Sequence, residues 1–255
     1  MKNTAFRKTY VFFSSVMIFL IHLPFSFATV RHEDSKTGAV ETVIVDNTSL
    51  NTSAALKAER LFIYNSLQLN LLGLSQRAYN FAIDGLQKLK EKGQIVNDQL
   101  ITIVDFTRSS SQKRLFVIDL EHHQLLFNTY VAHGQNSGTE FARHFSNAPS
   151  SYQSSLGFYE TLGTYDGRNG YSLHLAGLEK GVNDKADERA IVMHGAPYVS
   201  EGYINKKGYI GRSWGCPAVP EKLTRPIIDK IKNGTCIFIY SENKKYFKRS
   251  KILNS

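Results

Sequence analysis

A histidine and a cysteine, His194 and Cys216, stand twenty-two positions apart with flanks suited to acyl transfer. Residues 190–194 form a short apolar run of strand type that Gly195 ends, which predicts an imidazole at a strand terminus facing a cleft. Cys216 lies in the glycine-and-proline turn Ser213-Trp214-Gly215-Cys216-Pro217, and a helical pattern from Leu223 to Ile231 opens just beyond Pro220 and Glu221. A nearby helix N-terminus biases a thiol toward thiolate, and an imidazole that takes its proton completes a nucleophile able to work through a thioester. Gly215 allows unusual torsions in a turn whose backbone N–H groups would face an oxyanion. Ser213 either orients His194 or simply forms the turn. Arg212 either meets a substrate carboxylate or stays in solvent, and Trp214 either walls the cleft or packs beneath it. His174 falls within a strand of its own and reads as a core or cleft-lining histidine, with a second catalytic role as the sharper alternative.

The wider pattern around this pair is recognisable. Arg212-Ser213-Trp214-Gly215-Cys216-Pro217-Ala218-Val219-Pro220, preceded by His194-Gly195 at a strand end, resembles the L,D-transpeptidase (YkuD-type) family, in its murein L,D-transpeptidase catalytic domain branch. The likeness extends to 131–134, 136–138, 145–147, 154–158 and 172–178, so it spans roughly residues 101–240. Two positions depart from the family's commoner motif. Trp214 replaces a histidine, and Pro217-Ala218-Val219 stands where an Arg or Asn follows the cysteine.

The resemblance implies that Cys216 attacks the carbonyl of the third residue of a peptidoglycan stem peptide, with His194 as general base and then general acid. An acceptor amine would give a cross-link, and water would make the protein an L,D-carboxypeptidase. The implied partners are peptidoglycan stem peptides and a wall-linked protein as acceptor. Gly195, Arg212, Trp214 and His174 are the implied substrate-binding residues, and the chemistry needs neither metal nor organic cofactor. Two other classes compete. A non-catalytic wall-binding protein of the same fold would be consistent with the two departures. A papain-like peptidase would place the cysteine first and on a long helix, which this order does not.

Two cysteines in an exported chain also raise a structural disulfide between Cys216 and Cys236. Cys236 sits in an apolar strand pattern, 235–240, where a free thiol behaves as a small hydrophobe. His122 and His123 lie in a turn without a matching set of ligands, so they read as exposed polar residues rather than a metal site.

These groups must be positioned by the elements around them. The N-terminus combines Lys2, Arg7 and Lys8 with an apolar run from Tyr10 to Leu23 and small residues Ser26 and Ala28, which reads as a secretory signal over 1–28. The run is shorter than a bilayer span needs, so a secreted, periplasmic protein without a membrane span after cleavage is expected, an uncleaved anchor being the alternative. Cleavage removes three positive charges from the formal +9 and leaves about +6, a balance that suits an anionic wall. No arginine-rich helix or interleaved aromatic pattern points to nucleic acid. Residues 29–52 read as a linker. Two helices, 53–72 and 75–92, then form a helical segment over 53–95, the second with Ala78, Phe81, Ala82, Leu86 and Leu89 at helical spacing and Ser75 as cap.

From residue 96 to 242 the texture is β. Strand patterns occupy 101–106, 114–120, 124–132, 156–161, 172–176, 190–194 and 235–241, and the polar stretch 134–153 would run along one wall of a cleft. The predicted fold is mainly β with accessory helices (α+β), an antiparallel sandwich or barrel of YkuD type preceded by a helical pair. Residues 243–255, rich in lysine, read as a solvated basic tail.

Overall fold

The computed structural model describes residues 47–255. The expected signal, 1–28, and residues 29–46 of the expected linker lie outside the described residues. Helix α1 (Asn47–Ser66) begins within the stretch read as linker and ends short of Leu72. The chain leaves it through turns in which Gln68 adopts a left-handed conformation (φ 51°), which no helix continues through. Helix α2 (Gln76–Glu91) follows the sequence pattern closely: the Ser75 hydroxyl accepts from the Ala78 N–H at 3.1 Å, and Ala78, Ala82, Leu86 and Leu89 are buried.

Eight strands follow: β1 (Leu100–Asp105), β2 (Leu115–Asp119), β3 (Gln124–Thr129), β4 (Gly157–Gly167), β5 (Gly170–Gly177), β6 (Val192–Ala196), β7 (Ala218–Pro220) and β8 (Cys236–Tyr240). They form one sheet in the order β3-β2-β1-β8-β4-β5-β6-β7. Its ends nearly meet, because Ala132, just past β3, donates its N–H to the Ala218 carbonyl of β7 at 2.8 Å. The protein is therefore mainly β, a nearly closed sheet with a few helices. The sheet is largely antiparallel, with β1–β8 and β6–β7 as its parallel pairings. Parallel neighbours need a long connection. The β6–β7 connection supplies one and carries helix α3 (Glu201–Lys207).

Strands β1, β2 and β8 are buried at every position, as strands covered on both faces should be. Helix α2 packs over β1 and β8, its Phe81 ring stacked 6.3 Å from that of Tyr240. Helix α4 (Glu221–Ile231) covers β5 and β6, where the Tyr171 hydroxyl donates to Asp229 at 2.6 Å and the Arg225 guanidinium lies 4.0 Å above the Tyr171 ring. Cys216 and Cys236 are both free thiols, so the disulfide alternative is absent.

The basic end is not a solvated tail. Helix α5 (Lys244–Arg249) folds back on the domain, Tyr246 and Ile252 are buried, and the Tyr246 and Ser250 hydroxyls both donate to the Glu179 carboxylate. The lysines take the outer face while the aromatic residues between them take the inner one. A charge count alone does not reveal that division. No helix among the described residues is long and apolar enough to cross a membrane.

Candidate active site

The site lies where β6 and β7 run side by side. Their register sets His194 opposite Ala218 and Gly195 opposite Val219, so Cys216, two residues before Ala218, enters at the level of Val192. The Cys216 Sγ–H reaches the Ala190 carbonyl at 3.6 Å, and the Val192 N–H points at the same sulfur. The register thus brings histidine and cysteine to neighbouring levels of the β6–β7 edge, which the parallel pairing of a three-residue strand creates.

His194 is 6% exposed, and its Nδ1–H donates to the Gly195 carbonyl at 2.8 Å. A carbonyl can only accept, so the neutral ring carries its proton on Nδ1 and leaves the Nε2 lone pair free. Burial holds this imidazole below its ordinary pKa despite that bond. Burial likewise pushes the Cys216 thiol up, opposed by the Val192 N–H and by the Arg189 guanidinium. The expected thiolate bias is therefore reversed in the resting protein. Helix α4 starts only at Glu221, beyond β7, and the Val192 N–H and Arg189 do not offset the loss of water.

The 213–216 turn is tightly bonded. The Ser213 hydroxyl donates to the Cys216 carbonyl at 2.6 Å and accepts from the Gly215 N–H at 3.1 Å. Ser213 therefore shapes the turn, and a role in orienting His194 is not what its hydroxyl does; the Gly195 carbonyl holds that ring. Gly215 has φ 127°, a region that favours glycine, and a Cβ there would lie 2.8 Å from the Gln153 carbonyl oxygen. With the Gly215 N–H committed to Ser213 and the Cys216 N–H turned toward its own sulfur, the Trp214 N–H is the turn donor without an acceptor among the described residues.

The other anticipated residues scatter. Trp214 is 66% exposed and stands edge-on to Tyr152, ring centroids 5.6 Å apart. Arg212 uses Nη1 to hold the Gln135 and Gly138 carbonyls at 3.3 and 3.2 Å, bracing the loop that precedes the cleft wall. Gly195 is needed for close packing: a Cβ there would press into Thr224 Oγ1 of α4. His174 shares the sheet face of His194, since Ser172 pairs with His194 and His174 with Val192, but its ring is exposed and stacks on Tyr165 at 4.5 Å.

Three residues escaped the sequence reading. Arg189 donates from Nη1 to the Ser146 carbonyl (2.9 Å) and the Ser155 hydroxyl (2.5 Å), and from Nη2 to the Gln153 carbonyl (2.6 Å) and the Ser151 hydroxyl (3.3 Å). It pins the 146–155 segment against Gly215 and lends positive charge to the thiol. Tyr198 also feels the Cys216 charge, and burial pushes its phenol up to about 12. His133 sits at a second His-Gly step. Its Nδ1 accepts from the fully buried Arg114 at 2.8 Å, its carbonyl accepts from the Ser213 N–H at 2.9 Å, and burial with Arg114 takes its pKa down to about 3. The available signals were an arginine just before the β6 run and a repeated His-Gly, neither specific alone.

No curated protein matches this sequence. Among solved structures, an L,D-transpeptidase from Mycobacterium smegmatis aligns at 12% identity and a TM-score of 0.35, covering 56% of this chain and 59% of that one. The helical cell shape determining protein Pgp2 from Campylobacter jejuni aligns at 13% and 0.40, covering 68% and 62%. L,D-transpeptidase 3 from Mycobacterium tuberculosis aligns at 10% and 0.36, covering 56% and 61%. The chain thus spans about three fifths of the length of each. The sequence profile described as "L,D-transpeptidase catalytic domain" matches residues 70–240, well over half of the chain and all eight strands, so this protein belongs to that family.

Proposed function

We infer that the protein is a cysteine-dependent acyltransferase of peptidoglycan stem peptides. The observation that carries this reading is the β6–β7 edge, where an imidazole with a free Nε2 on β6 and a thiol just before β7 come to neighbouring levels. In the first step Nε2 takes the Cys216 proton as sulfur attacks the carbonyl of the stem peptide's third residue. The oxyanion that forms is met by the Cys216 and Trp214 N–H groups. Collapse breaks the peptide C–N bond, the leaving amine takes the proton from His194, and a thioester remains on Cys216. An acceptor amine, from a second stem or a wall-linked protein, gives its proton to His194 and resolves the thioester as a cross-link; water in the same position gives a carboxypeptidase. The rigid 213–216 turn favours an enzyme over a wall-binding protein that merely keeps the fold, because Ser213 and Gly215 are committed to presenting Cys216. Secretion to the periplasm fits this substrate.

Digestion of purified walls, with muropeptides identified by mass, tests the reading. New 3-linked cross-links or shortened stems are expected with the parent and neither with Cys216→Ala, whose thermal midpoint should match the parent because the thiol is not a core strut. Equal activity in the two proteins removes the cysteine mechanism.

A further inference from the structure

Beside the cleft wall, two depressions meet at Phe145, Asn243 and Lys245 and make one trough. Its floor is partly apolar, with Leu156, Val182 and Tyr246. Its rim is cationic: Arg143, Lys244 and Lys245 flank one half and Arg249 the other. None of these four has a carboxylate partner among the described residues, although lysines and arginines elsewhere in the domain do. Arg143 instead lies 5.8 Å from the Phe141 ring centroid, and Arg249 donates to the Gly181 carbonyl. The neighbouring Asp184 carboxylate, which accepts from Asn147 and from the Gly181 N–H, is one charge against four cations, and a bound anion offsets the electrostatic cost of that excess. The site does not rest on the α5 terminus, since the Asn243 side chain already accepts from the Lys245 and Tyr246 N–H groups.

The trough shares a wall with the candidate active site. Ser146 and Ser155 line it, and both are bonded by Arg189, whose other nitrogen holds the Gln153 carbonyl at Gly215. A ligand in the trough therefore lies on the far side of the segment that borders Cys216. We propose that the trough binds carboxylate groups of a peptidoglycan chain neighbouring the stem peptide that reacts at Cys216, anchoring the polymer while one of its stems is processed. This rests on the acyl-transfer reading for its choice of polymer. Lysine ammonium groups give sequence-tolerant charge contacts and Arg143 a planar fork for a carboxylate. The apolar floor accommodates the sugar and peptide backbone between charges.

The test is co-sedimentation of the full chain carrying Cys216→Ala with purified peptidoglycan sacculi, so that turnover plays no part. Lys244→Glu with Lys245→Glu should weaken binding at least tenfold and flatten its dependence on salt. Lys57→Glu with Lys113→Glu, the same charge change on exposed positions elsewhere, should weaken it less than threefold. Sacculi whose carboxylates are converted to methylamides should bind the parent no better than the trough variant. Equal losses in the two double variants, or full binding by the trough variant, overturn the proposal. Undiminished binding to amidated sacculi overturns the carboxylate assignment, and loss after acid removal of phosphodiester polymers would assign the anion to phosphate. Should the lysine variant fail to fold, Arg143→Glu, in an exposed loop, decides the same question. With Cys216 intact, the trough variant should keep the parent rate on a soluble tetrapeptide monomer, and a parallel fall would place the trough inside the catalytic machinery. No turnover by the parent on that monomer would defeat the acyl-transfer reading while the sedimentation result still reads the trough.

Discussion

His194 is buried and Cys216 half-buried, and the loss of water favours the neutral form of each. A lowered imidazole pKa and a raised thiol pKa move apart, so the neutral pair persists from below His194's usual 6.5 to above the thiol's ordinary 9.0. The proton then moves only as the sulfur attacks, when the turn N–H groups meet the developing charge. Iodoacetamide labelling of Cys216 should accordingly show a midpoint above 9.0 in the reduced protein. His194 is neutral throughout the thiol's titration and supplies no charge to it, so His194→Ala should leave the midpoint nearly fixed while turnover falls about 10²-fold or more. Arg189 is positive there, so Arg189→Gln should raise the midpoint further. A midpoint well below that of a free thiol, or one raised by His194→Ala alone, would restore the thiolate–imidazolium pair.

Among the elements, β6 and α4 set the site's tolerance. Gly195 holds the His194 ring with its carbonyl and turns its missing Cβ toward Thr224, so helix and strand are as close as a glycine allows. Gly195→Ala should overpack this contact, costing about 1–3 kcal/mol. Thr224→Ala removes the nearest atom and should recover part of that loss, measured as coupling in a double-mutant cycle of urea midpoints. Strict additivity would mean that α4 gives way freely. Such contacts explain what could and could not be read beforehand. The buried strands β1, β2 and β8 and helix α2 announce themselves through apolar runs and helical spacing, because burial selects their residues. Strand β7 is three residues with a proline, and short α3 buries none of its residues, so neither leaves a periodic trace. The flanks of His194 and Cys216 mark where in the chain the candidate site lies. Arg189 was not legible, because its four bonds run to a loop thirty-four and more positions away, and a linear sequence does not show which backbone carbonyls need a donor.

For the molecule as a whole, Glu179 ties the C-terminal segment to the sheet. Its carboxylate is buried and accepts from the Phe158 N–H at 3.0 Å, the Tyr246 hydroxyl at 3.0 Å and the Ser250 hydroxyl, which joins β4 to α5 through one side chain. Burial raises its pKa, and the three donors work against that rise. A carboxyl whose folded pKa is raised stabilises the fold fully below its unfolded value, near 4.5, and that contribution is lost as pH climbs through the folded value. Tyr246→Phe deletes one donor to the ionised form and so raises the folded pKa further. The deletion should therefore cost little near pH 4, where the carboxyl is protonated, and about 1–3 kcal/mol near pH 8, where a buried charge is left with one bond fewer. Urea midpoints of parent and variant at the two pH values measure the difference directly. A gap between them that stays constant with pH would mean that the Tyr246 hydroxyl contributes packing alone and that the charge on Glu179 is not what fastens α5 to the domain.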